Sequence, residues 1–100
     1  MTAAASARVA MENVKSPGRA VRVDADKYHA MRDAMLEVLP ADAPGLTVAE
    51  VKARLLPLLP EALFPAGAKA GWWLKGVQLD LEAKGVIRRE ESKPLRLHRL

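Results

Sequence analysis

The sequence contains no cysteine, which excludes disulfides, thiolate zinc sites, iron–sulfur clusters and cysteine nucleophiles. Its two histidines, His29 and His98, stand far apart, and no metal site is expected. Aromatic residues are only 4% of the chain, so aliphatic side chains must fill the core. No apolar run approaches the roughly 20 residues of a membrane helix. Gly67, Gly71 and Gly76 lie within or beside a helical period with no strand before them, so they form no phosphate-cradling loop. Ser6, Ser16 and Ser92 have no base beside them. The chain is therefore expected to have no catalytic residue and no cofactor, and not to be an enzyme. It also has no stretch resembling a secretory leader, so a cytoplasmic protein is the expectation.

One hundred residues, half hydrophobic and 28% charged, suit one folded domain. The net charge of +4 is unevenly spread. Arg8, Lys15, Arg19 and Arg22 make the first 23 residues basic, residues 24–66 are acidic, and residues 67–100 are basic again. Such segregation fits a polyanion partner or a merely dipolar surface.

Residues 1–18 read as a flexible N-terminal segment, small and Ala-rich at first and ending in the turn signal Ser16-Pro17-Gly18. Residues 19–100 form the single domain. Arg19 to Val23 reads as a basic arm or a short edge strand. Asp24 or Asp26 can cap a first helix running to about Leu39, with Tyr28, Met31, Met35, Val38 and Leu39 on its buried stripe. Thr47-Val48-Ala49-Glu50 has capping-box spacing and opens a second helix, which Pro57 ends.

The third helix is expected from about Ala68 to Lys84, with Ala70, Trp73, Leu74, Val77 and Leu81 facing the core. Gly85 suits its left-handed end. Trp72 and Leu79, seven apart, form a second apolar stripe. Asp80 and Glu82 point about 200° apart around the helix and cannot share a substrate. Beyond Gly85 the period becomes that of strands, giving a hairpin of residues 86–90 and 95–99 with Arg88, Arg89, Lys93, Arg96, His98 and Arg99 on its exposed side.

Thr47-Val48-Ala49-Glu50 and the exit Leu79-Asp80-Leu81-Glu82-Ala83-Lys84-Gly85-Val86-Ile87-Arg88 resemble the winged helix-turn-helix superfamily. Gly71-Trp72-Trp73 and Val77-Gln78-Leu79-Asp80-Leu81-Glu82 resemble a group of small, functionally uncharacterised bacterial proteins, over about residues 13–100. The fold implied is mainly α with a small β-hairpin (α+β), a three-helix winged helix-turn-helix with a C-terminal wing. The partner implied is duplex DNA and the role transcriptional regulation. Lys69, Lys75 and Gln78 would then meet DNA from helix three, with Arg88, Arg89, Lys93 and Arg96 from the hairpin. Glu82 opposes this, since phosphate repels a carboxylate, and the connection of residues 57–67 is longer than a compact helix-turn-helix uses. The alternative is a protein-interaction domain, binding a second copy or another protein through Trp72 and Leu79, without DNA or membrane.

Overall fold

The computed structural model describes residues 7–100, folded as an α+β domain of three helices and two small antiparallel sheets. Local chemistry starts each helix. The Asp24 carboxylate accepts from the Lys27 N–H at 3.0 Å, opening α1 (Ala25–Val38). Thr47 and Glu50 form the reciprocal capping box of α2 (Val48–Leu55), at 2.9 and 3.2 Å. Pro57 sits in the 3₁₀ turn of residues 56–58 that follows, as its missing N–H requires. A second such turn, at 65–67, leads into α3 (Ala70–Ala83). That helix closes in a Schellman motif: Val86 N–H donates to the Leu81 carbonyl at 2.9 Å and Gly85, at φ +72°, to that of Glu82 at 3.2 Å.

The larger sheet has β3 (Leu46–Thr47), β5 (Arg96–Arg99) and β4 (Ile87–Glu90) in that spatial order. Gly45, at φ +87°, lets the chain pass β5; a Cβ there would stand 2.0 Å from the Leu97 carbonyl oxygen. Met31, Met35, Leu39, Val51, Leu55, Val77, Leu81, Ile87 and Leu97 fill the core between helices and sheet. Val38 lies at its margin rather than inside.

The smaller sheet corrects the sequence expectation. Residues 8–12, assigned above to a flexible segment, form β1 (Arg8–Glu12), which pairs with β2 (Ala20–Asp24). The rest of that segment before residue 7 lies outside the described residues. The pairing has a physical cause in alternation. Val9 and Met11 share a face with Val21 and Val23, while Arg8, Ala10 and Glu12 point the other way. Ser16-Pro17-Gly18 lies in the hairpin turn, where Ser16 N–H donates to the Asn13 carbonyl and Arg19 N–H to that of Ser16. The hairpin is laid against α1 and α3, with Met11 seated over Gly76; a Cβ at Gly76 would be 2.6 Å from Met11 Cε. Among the described residues, no helix is long and apolar enough to cross a membrane.

Candidate nucleic-acid interface

The N-terminal hairpin decides which part of α3 is free. Its second half is covered: Gln78, Leu79, Asp80 and Leu81 are all buried. Val14 N–H donates to the Leu79 carbonyl at 3.2 Å, and Glu12 N–H to Asp80 Oδ1 at 2.9 Å. Asp80 also accepts the Tyr28 hydroxyl and forms an ion pair with Lys84 at 2.8 Å. One buried carboxylate thus joins β1, α1 and α3. Burial first, and then the Asp80 carboxylate, push the Tyr28 phenol above its ordinary pKa. Lys84 is also raised: partial burial works against its charge, but the Asp80 hydrogen bond and the neighbouring charges outweigh it.

Gln78 therefore does not face a groove. Its side chain is 1% exposed and donates to Glu82 Oε2 at 2.9 Å, so the base-reading role expected of it is corrected. Arg89 is likewise engaged, in a two-pronged bond to Glu82 at 2.6 and 3.0 Å, which raises the guanidinium pKa further against partial burial. Arg96 donates to the Gly45 carbonyl at 3.1 Å and lies 3.7 Å from Glu50. Arg99 holds the Leu39 carbonyl at 2.8 Å. His98, expected on the exposed face of the hairpin, is buried instead. Its Nδ1 stands 2.9 Å from the Arg99 carbonyl oxygen and its Nε2 2.8 Å from Glu90. With an acceptor at each nitrogen the imidazolium is favoured, and the His98 pKa is raised by the Arg99 carbonyl first and Glu90 second.

What stays in solvent is one face of the first half of α3. Lys69, Gly71, Trp72 and Lys75 are exposed, and Trp72 keeps 59% of its surface. The Trp72–Leu79 stripe is therefore broken, since Leu79 is 7% exposed beneath the hairpin. Lys52, on α2, joins this surface, its Nζ 3.6 Å from where a Gly71 Cβ would stand. Nothing in the sequence pattern marked Lys52, because its approach depends on how α2 crosses α3. The first turn of α3 has neither a side-chain cap nor an acidic residue, so no side chain of its own offsets its positive dipole end. On the hairpin, Arg88 and Lys93 are exposed, and among the described residues neither they nor Lys52, Lys69 and Lys75 form an ion pair.

A concavity of about 240 Å³ lies between the N-terminal hairpin and α3 and is lined by Met11, Glu12, Ser16, Arg19, Gly76 and Leu79 among others. Ser16 and Glu12 both line it, but among the described residues no hydrogen bond joins their side chains. Among the described residues, no three His, Cys, Asp or Glu side chains gather as metal ligands.

Residues 8–97 match a family model described as "Family of unknown function (DUF6958)". Neither the curated proteins nor the solved structures gave a match.

Proposed function

The chain belongs to that family, whose function is not established, and we propose that it binds duplex DNA through its phosphates, using the first turns of α3 and the tip of the C-terminal hairpin. The scaffold we infer is a winged helix-turn-helix. In support, α1, β3, α2, α3, β4 and β5 follow in that order, and β3 lies beside β5 in the sheet. The connection from α2 to α3, residues 56–69, is longer than the three or four residues of a compact helix-turn-helix.

The observation that carries the reading is the group Lys52, Lys69 and Lys75 around an uncapped helix start, with no carboxylate paired to any of the three among the described residues. Glu82, the sequence feature most opposed to DNA, supports the reading once its partners are known. Arg89 neutralises it and Gln78 shields it, so it projects little negative field toward a phosphate. With Gln78 buried, α3 offers few groups to base edges. The reading is accordingly one of backbone contact with little sequence preference. It is a binding function, not a catalytic one.

The test is fluorescence anisotropy on a labelled mixed-sequence duplex across a salt series. Micromolar binding that weakens steeply with salt is expected, and Lys52→Ala/Lys69→Ala/Lys75→Ala should lower the salt slope by about 2 to 3, near 0.9 for each phosphate contact. Absence of binding at low salt, or a slope unchanged in the triple variant, overturns the reading.

A further inference from the structure

Trp72 is the largest exposed aromatic surface of the molecule, yet it is not a loosely held side chain. Its ring meets that of Trp73 edge to face, with centroids 5.1 Å apart and planes at 81°. Trp73 is 6% exposed and meets buried Phe64 in the same way, at 6.5 Å and 87°. The three rings form a ladder from core to solvent whose last rung is fixed at one edge and bare elsewhere. Fixing the indole beforehand lowers the ordering cost of any planar ligand that lies on it.

The surroundings select the ligand. Lys75 lies one helical turn from Trp72, Lys69 precedes α3, and Lys52 Nζ sits at the Gly71 turn beside it. A neutral apolar partner would gain nothing from three unpaired ammonium groups at the rim. A planar ring carried on a chain of phosphodiesters would be matched at both points, its face to the indole and its charges to the lysines.

We propose that Trp72 is a stacking platform for an unpaired nucleobase, so that the preferred DNA is a duplex with a single-stranded overhang rather than a blunt one. The proposal rests on the DNA reading above and names its substrate. Inside a duplex every base face is covered by its neighbours and only the outer faces of the two terminal pairs are bare, whereas each unpaired nucleotide of an extension can turn a face to Trp72.

The experiment compares a labelled blunt duplex with the same duplex carrying a short unpaired 3′ or 5′ extension, in wild type, Trp72→Ala and Trp72→Phe. Wild type should bind one of the extended duplexes at least 5-fold more tightly than the blunt one. Trp72→Ala should lose roughly 5- to 150-fold on that duplex, the range of one base–aromatic stack, with its salt slope unchanged. Trp72→Phe should keep part of the preference, and all three proteins should give the same far-ultraviolet circular dichroism. Equal wild-type affinity for blunt and extended duplexes overturns the stacking role and leaves the phosphate reading standing. An equal loss on both in Trp72→Ala does the same. No binding to any of the duplexes overturns both.

Discussion

Replacing Asp80 by alanine should detach the N-terminal hairpin from the helices. Asp80 is fully buried and takes three donors, the Glu12 N–H, the Tyr28 hydroxyl and Lys84 Nζ. In Asp80→Ala the Lys84 side chain, 36% exposed, turns to water at little cost. The Tyr28 hydroxyl and the Glu12 N–H lose their acceptor, each loss being worth about 1–3 kcal/mol when the donor stays buried. Glu12 lies on an exposed strand position, where water can reach its N–H, so the lower half of the combined range applies. The expected loss is about 3 kcal/mol, a large part of the roughly 5–15 kcal/mol that stabilises such a domain. Urea unfolding followed by circular dichroism reads it as a lower midpoint.

A second readout isolates the cause. Tyr28 is the only tyrosine, so tyrosinate absorbance in alkali reports on this site alone. Its pKa is raised in the fold, by burial and then by Asp80. A raised folded pKa contributes stability that is complete below the unfolded value, near 10, and disappears as pH rises through the folded one. Lys84, also raised, acts with the same sign. Asp80→Ala should bring the phenol back toward its ordinary value and flatten the alkaline loss of stability. A destabilisation below about 1 kcal/mol, with the tyrosinate midpoint unmoved, would refute the idea that this carboxylate fastens the hairpin.

Gly45→Ala should cost more than Gly18→Ala. Both glycines have φ above +80°, but a Cβ at Gly45 meets the Leu97 carbonyl at 2.0 Å while one at Gly18 meets nothing within 4 Å. Backbone strain alone predicts about 1–2 kcal/mol at Gly18, and equal urea midpoints for the two variants would contradict the close approach of β3 to β5. The His98–Glu90 pair should make stability fall as pH rises through neutrality. The His98 pKa is raised in the fold, so its contribution is complete below about pH 6.5 and is lost as pH passes the folded value. Urea midpoints at about pH 5.5 and pH 8.5 should differ more in wild type than in Glu90→Gln, and identical differences would exclude the pairing as the source.

Legibility followed the range of the interaction that fixes each element. The starts of α1 and α2 depend on Asp24, Thr47 and Glu50 bonding within three residues, and the end of α3 depends on Gly85; all of these could be read from spacing. β3 could not, because two residues have no periodicity and Leu46-Thr47 is a strand only by virtue of β5. β1 carried a weak alternation in Arg8-Val9-Ala10-Met11-Glu12, hidden by an Ala-rich approach and a Pro-Gly turn that also reads as a flexible stop. The order of the three helices and the C-terminal hairpin was therefore accessible, and β3 and the covering of α3 by residues 8–24 were not.

That covering is what changes the meaning of the charges. Counting along the sequence places Arg89, Arg96 and Arg99 on a cationic wing and Glu82 on the face of a helix that should meet phosphate. In three dimensions these groups lie where a carboxylate or carbonyl reaches them, and they join α3 to β4, β5 to the Gly45 turn, and β5 to the end of α1. Such partly buried guanidinium bonds are worth more to the fold than to a polyanion, since releasing one strands its acceptor. The lysines divide differently. Lys84 is held by Asp80, whereas Lys52, Lys69, Lys75 and Lys93 have no carboxylate partner among the described residues. In the C-terminal hairpin three of the four arginines, Arg89, Arg96 and Arg99, are spent on the architecture, and apart from Arg88 the cations on which the DNA reading relies are compact, well-hydrated ammonium groups. A phosphate backbone contacted by point charges of this kind is held strongly but read poorly. The DNA binding proposed above would therefore, on this ground as on that of the buried Gln78, depend little on base sequence.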